Sequence, residues 1–438
     1  MGTTKCIRYK GVQSKKVESD FSGGSITSDG GVLLLRQANQ QTHFIEKLSR
    51  AIEDRRHPSY VDHAQETMLK QRIYGIACGY EDVNDQVELR KDPMFQVAVN
   101  REPCEENAMA SAPTICRFEN AGTREDAWRM AEVFVDRFIA SYERPPKVLT
   151  LDFDATDDRI HGQQEQAFFH GYYGDYCYLP LYVFCDDRFL VGYLRPSNID
   201  AAKHAWAILA LLARKLRQAW PSVKIRFRAD SGFCRHRMLT WCDQHGIEYV
   251  VGIGKNSRLQ TAAQSIIEAS QVEARMTNKK VRLFGEVRYG AGTWAYERRV
   301  IVKAEQLDKG ENVRYVVTNM RGDPQRIYDG FYTQRGEDSE NRIKEQQLDL
   351  FADRTSCHRF LPNQFRLFLA SAAYVLLEHI RRVALRGTEL AAARCQTIRL
   401  KLVKIGALVL VNTRRILIRM SEHFVYKDLY RLAVARLT

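Results

Sequence analysis

The sequence has no long apolar run. Its longest nearly unbroken stretch, FLASAAYVLL from Phe368 to Leu377, is well short of the roughly 20 residues a membrane-crossing helix needs. The mean hydropathy of −0.39 agrees. The opening MGTTKCIRYK lacks the apolar segment of a secretory leader, and Cys6 stands where a myristoylation signal requires Ser or Thr. The expectation is a cytoplasmic chain with no membrane partner. Paired cysteines are also missing. Ten cysteines run singly from Cys6 to Cys395 with no C-x-x-C spacing, which excludes a disulfide framework. A zinc site is excluded on the same ground, because Cys357-His358 has no second pair in phase with it. There is no internal repeat and no low-complexity segment. Apolar residues at 45% and charged residues at 27% exclude a disordered or fibrous chain. At 438 residues the chain exceeds one ordinary domain.

The net charge of +13 is unevenly distributed. Residues 1–150 hold 21 Lys and Arg against 22 Asp and Glu, and residues 151–350 hold 29 against 26. The last 88 residues hold 16 against five. A basic excess confined to one tract that also has an ordered apolar pattern suits a polyanion such as nucleic acid. A solvated helix face, the bland alternative, usually mixes both signs.

Along the chain, the first 20 residues are polar and basic, either a DNA-contacting arm or a frayed terminus. From about Ser28 to Tyr142 apolar residues recur at three and four, which predicts helices, with Thr114 and Asp126 as caps or first-turn residues. Pro145-Pro146 marks a boundary. KVLTLDFD then reads as a strand, and QAFFHGYYG, YLPLYVFCD and RFLVGYLRP read as antiparallel strands. A helix over 201–219, strand KIRFRAD, helix RHRMLTWCDQHG and strand EYVVGIG follow. The expected fold class is α/β: a ribonuclease H-like catalytic core interrupted by a β-rich insertion, with an N-terminal helical domain and a basic C-terminal region. The expected domains are 1–145 (helical, DNA-end-binding), 146–255 (core, first part), 256–322 (insertion), 323–385 (core, second part) and 386–438 (basic region, in which IRLKLVKIGALVLVNTRRILIRM reads as a hairpin).

Three acids draw attention through position. Asp154 ends the first core strand, Asp230 ends the fourth, and Glu340 starts a helix. Residues just past strand ends line the crevice of an α/β sheet. Three converging carboxylates repel one another unless divalent cations neutralise them. Two Mg²⁺ ions about 3.5–4 Å apart would clamp the attacking and leaving oxygens of a phosphoryl displacement, and Mn²⁺ could substitute. The alternatives are ordinary. A strand-end Asp can form a turn or cap a helix, and Glu340 with Lys344 is a favourable surface pair. Asp152, Asp157 and Asp158 crowd the first position, so spacing alone does not choose among them.

These residues resemble the bacterial insertion-sequence transposases of the DDE class over almost the full length. The matching stretches are LDFDATDDRIHGQQEQAFFHGYYG, RADSGF and the Tyr-Arg-Glu-Lys-like YTQRGEDSENRIKEQQLDLFADRTS, with SAPTICRFEN and TIRLKLVKIGA also similar. The family's Asp-x-Thr pattern falls on Asp154 and Thr156. The resemblance thus implies Asp154, Asp230 and Glu340 as catalytic, metal-holding residues, with Tyr332, Arg335 and Lys344 holding DNA. Two departures stand out: four residues separate Arg335 from Glu340 where relatives have three, and the signature Lys position holds Gln347. Trp294, in the insertion, would either stack an extruded base, as in relatives that use a DNA hairpin, or simply pack the insertion's own core.

The implied activity is cut-and-paste transposition: metal-dependent cleavage and strand transfer at element ends. The N-terminal helices would read terminal inverted repeats on double-stranded DNA, and the basic tract would hold phosphates. Target DNA would be the other nucleic-acid partner. Synapsis implies a homodimer, and the setting implied is a bacterial cytoplasm, at the nucleoid when DNA-bound. The rivals are a catalytically inactive transposase-derived DNA-binding protein and a metal-dependent nuclease without strand transfer. A carboxylate-pair glycosidase would leave the basic tract without a task.

Overall fold

A computed structural model describes residues 6–104, 106–308 and 310–438. The chain forms two compact units, one of Gly122–Ser371 and one built from both ends of the chain, up to Ala121 and from Ala372.

In the first unit, Thr123 starts helix α1 (Arg124–Ile139) with a capping box: its hydroxyl accepts from the Asp126 amide, and the Asp126 carboxylate accepts from the Thr123 amide. Such a cap stabilises a helix by about 1 kcal/mol. Asp126 is thus a first-turn residue as expected, and Thr123 is a cap the periodicity did not reveal. After the Pro145-Pro146 break come strands β1 (Val148–Ala155), β2 (Leu181–Cys185), β3 (Arg188–Tyr193), β4 (Lys224–Ala229) and β5 (Glu248–Ile253). Helix α2 (Ala205–Ala219) precedes β4, and α3 (His236–Gln244) lies between β4 and β5. Helix α4 (Gln264–Thr277) leads to β6 (Val281–Tyr289), β7 (Arg298–Leu307) and β8 (Gly310–Thr318).

All eight strands form one mixed sheet in the order β6-β7-β8-β5-β4-β1-β2-β3. Strands β1, β4 and β5 are parallel neighbours, and the remaining pairs are antiparallel. Strand alternation sets the faces. Leu149, Leu151 and Phe153 of β1, with Ile225, Phe227 and Ala229 of β4, enter the core beneath Leu209, Leu212 and Leu216 of α2 and Met238 and Leu239 of α3. Asp152, Asp154 and Arg228 therefore point to the opposite face.

The β-rich stretch expected as an insertion joins the central sheet. Strand β8 pairs along β5, so Val300, Val302, Val313, Tyr315 and Val317 continue the same core. QAFFHGYYG is also reassigned: Asp175–Tyr178 pairs with Phe168–His170 on one side and Asp158–Arg159 on the other in a small side sheet, with Phe168, Phe169 and Tyr172 exposed.

In the second unit, helices Leu33–Thr42, Phe44–Ala51 and Gln65–Cys78 confirm the helical reading. The polar start forms an exposed hairpin of Ile7–Val12 and Lys15–Ser19. In the basic tract, Cys395–Val403 is helical, Ala407–Asn412 and Arg415–Met420 form the expected hairpin, and Lys427–Leu437 is a helix that the sequence pattern did not reveal. Several of its cations serve the fold. Arg399 donates to the Ala77 carbonyl, Arg436 to those of Ala384 and Arg386, and Lys404 pairs with buried Asp29. Arg414, Arg415 and Arg419 remain exposed on the hairpin. Residues 360–384 form one helix long and apolar enough to cross a membrane, longer than the sequence run suggested; 89% of its most apolar window is buried, as in a core helix.

Candidate active site

Register brings the two aspartates together. Arg228 of β4 is level with Asp152 of β1, and Ala229 with Phe153. One residue further on, Asp154 and Asp230 stand side by side at the C-terminal ends of adjacent parallel strands. Asp152 is the structural member of the pair on its strand. Its carboxylate takes both arms of the Arg228 guanidinium, at 2.5 and 2.7 Å, with both side chains almost fully buried. Arg228 also donates to the Phe331 carbonyl at 2.5 Å, which ties a π-helical turn at Tyr328–Tyr332 to the sheet. That turn packs Tyr328 with Val250, Ile301 and Val316 and leads into helix α5 (Gln334–Lys344).

Arg335, in the first turn of α5, reaches back over the strand ends. Its Nη1 lies 3.0 Å from Asp154 Oδ2, and its Nη2 lies 3.3 Å from Glu340 Oε1. Within the four-residue spacing, Ser339 is buried with its hydroxyl on the Arg335 carbonyl at 3.1 Å, and Glu340 contacts the guanidinium. The Tyr332 hydroxyl covers Gly252 of β5, where a Cβ would lie 2.6 Å from it and 2.9 Å from the Ser231 amide nitrogen. Asp230 holds its own turn, accepting from the Gly232 amide at 2.8 Å. Asp154 accepts from the Ala155 amide at 2.9 Å.

The Asp154 carboxyl is pushed up to about 7. Burial is the main cause; Arg335 opposes it, and the charges of Asp230 and Glu340 add to it. Burial and the charges of Asp157, Asp154 and Asp230 likewise raise the phenol of Tyr173, which the sequence did not single out. Gln347, at the signature Lys position, donates to Asp158 Oδ1 at 2.8 Å and to the Asp157 carbonyl at 3.0 Å. It fastens the loop that follows Asp154. Asp158 is fully buried, and burial raises its carboxyl well above the usual range despite that hydrogen bond.

Carboxylate oxygens are the donor set of hard divalent cations. Arg335 contacts two carboxylates, Asp154 and Glu340, and the charge of Asp230 acts on Asp154 as well, so the acids outnumber the one guanidinium. The residues thus fit a divalent ion in chemistry and charge. Among the described residues no three His, Cys, Asp or Glu side chains are already grouped tightly enough to hold one; Arg335 bridges two of them.

Of the other expected residues, Lys344 is exposed one turn beyond Glu340. Trp294 is not brought to the carboxylates. Strand β8 runs against β5, so the β6–β7 turn that carries Trp294 leaves the sheet at the end opposite Asp154 and Asp230. There Trp294 packs edge-on against Tyr289 at 5.6 Å and adjoins the main core.

No curated protein sequence matches the chain. Among solved structures it is similar to a piggyBac transposase in a synaptic complex with hairpin DNA, at 10% identity and a TM-score of 0.40, covering 86% of this chain and 79% of that one. The family described as transposase DDE domain group 1 matches residues 9–438. The chain therefore belongs to the DDE transposase family.

Proposed function

We propose that this transposase cuts and joins DNA at the ends of an insertion sequence by cut-and-paste transposition, using a ribonuclease H-like core formed by β1–β5. The observation that carries the reading is that Asp154 and Asp230 stand at the C-terminal ends of two adjacent parallel strands, with Arg335 of α5 bridging Asp154 to Glu340. The strand order β3-β2-β1-β4-β5 supports the core assignment.

Asp154, Asp230 and Glu340 would hold divalent ions, Mg²⁺ by preference and Mn²⁺ as a substitute, which would supply electrostatic stabilisation of the phosphoryl transfer. The chain's own residues prepare the site. Asp152 and Arg228 fix the strand ends and, through Phe331, the entry to α5. Arg335 offers a planar donor fork suited to a phosphate as well as a carboxylate. Tyr332, anchored over Gly252, and Lys344 line the approach for DNA. The exposed Arg414, Arg415 and Arg419 hairpin supplies phosphate contacts outside the core, and the helical N-terminal part would read terminal inverted repeats. Two copies would pair in synapsis, in a bacterial cytoplasm.

A second reading, a DNA-binding relic without cleavage, is favoured by one observation: Arg335 already bridges Asp154 and Glu340. One assay separates the two. Purified protein is incubated with linear DNA carrying element ends, with Mg²⁺ or with EDTA, beside D230N. Metal-dependent cleavage that D230N lacks is the expected outcome. Binding without cleavage under Mg²⁺ and Mn²⁺ supports the relic, and cleavage without joined products supports a nuclease.

A further inference from the structure

At the end of the sheet opposite the carboxylates, the β6–β7 turn and the segment after β8 enclose an open groove of about 610 Å³. Arg298, only 3% exposed, forms part of its lining. Its Nε donates to the Tyr249 hydroxyl at 3.1 Å, and its Nη2 to Thr240 at 3.0 Å and Asp243 at 3.2 Å. Its Nη1 is buried and has no hydrogen-bond partner. An unsatisfied guanidinium nitrogen in the interior is costly and calls for an acceptor. Asp243 is not free to supply it, because it also takes the Tyr296 hydroxyl at 2.6 Å and the Asn319 amide at 3.1 Å. The ring of Tyr296 lies over the guanidinium at 4.4 Å. That tyrosine is 47% exposed at the end of the turn, and the Trp294 ring also lies over the guanidinium, at 5.1 Å.

The rim has the same polarity. Arg299 is paired with Glu286. Arg288 and Arg321 are exposed and have no ion pair among the described residues, and Glu297 is the acid that faces them without a partner. Two rim guanidiniums and one buried guanidinium with an open donor are the chemistry of a phosphate site.

We infer that this groove binds a phosphate group, with the Arg298 Nη1 as its inner donor and Arg288 and Arg321 as its outer ones. The DNA backbone as source rests on the proposed function; a free phosphate compound is the other source of the same chemistry. The site is distinct from the carboxylate cluster, being at the other end of the strands.

The test uses the full chain. Binding of a labelled DNA duplex is followed by fluorescence anisotropy across a salt series for wild type, R288A/R321A, E297Q and R298K. In parallel, thermal melting is measured with and without inorganic phosphate. For a DNA phosphate, R288A/R321A weakens binding about tenfold at low salt and lowers the salt slope by about two, since each neutralised phosphate contributes about 0.9. E297Q tightens it. For a free phosphate, DNA binding is unchanged in the variants, while phosphate raises the melting temperature of wild type but not of R298K. Wild type that binds no DNA yet responds to phosphate keeps the site and sinks the proposed cutting and joining of DNA. Wild type that binds DNA, with R288A/R321A and R298K unchanged in both measurements, overturns the inference.

Discussion

Two aspartates two positions apart on β1 have different neighbours, and different behaviour on substitution follows from them. Asp152 faces Arg228 across the ladder in a bidentate, buried pair. Removing one partner of such a pair leaves a buried charge and costs about 3–5 kcal/mol. D152N is therefore expected to lose stability on that scale in urea unfolding, with cleavage failing only because the fold does. Asp154 behaves in the reverse way. Its carboxyl rises on folding from 3.8 to about 7, so its contribution to stability is full below about pH 4 and is lost as pH climbs through 7. In EDTA, D154N is expected to flatten that part of the stability–pH profile while abolishing cleavage. A wild-type profile with no decline between pH 4 and 7 would contradict this. The sequence could not separate the two acids by spacing, because both alternate onto the same face; the structure adds that Asp152 is taken up by Arg228.

Helix α5 and its flanking turns were legible as helix from periodicity, but their attachments were not. Gln347 fills a signature Lys position with a neutral donor, and the acid it serves, Asp158, is buried and raised. Q347A would leave that carboxyl without its donor, at a cost of about 1–3 kcal/mol. The measurement is a denaturant titration; Q347A with wild-type stability would show that the loop after Asp154 does not depend on this hydrogen bond. Gly252 is a second attachment that a strand pattern hides. A methyl there meets the Tyr332 hydroxyl at 2.6 Å and the Ser231 backbone at 2.9 Å. G252A is expected to reduce cleavage by shifting Tyr332 and the Asp230 turn, with DNA affinity little changed. The insertion was legible as β-rich. Its joining the central sheet was not, because whether an edge is covered depends on pairing between β5 and β8, about 60 residues apart in sequence, which no local pattern encodes.

At the scale of the molecule, the charge division along the sequence is the most exposed to revision. The C-terminal excess reads as one surface, yet Arg399, Arg436 and Lys404 hold carbonyls or an aspartate inside the unit. Counting charge along a chain cannot tell a cation that completes a fold from one that faces water; only burial and partners do. The remaining candidates on the Ala407–Met420 hairpin are Arg414, Arg415 and Arg419. Phosphate contacts carry affinity without sequence information, so replacing all three with Ala should weaken specific and random duplexes by the same factor. The slope of log affinity against log salt should fall by up to about three, near 0.9 for each phosphate no longer neutralised. Substitution of Arg399 should instead lower the melting temperature before it alters that slope. If the triple variant loses affinity for element ends alone, the hairpin reads bases, and recognition of the ends is shared between the chain's C-terminal part and its N-terminal helices.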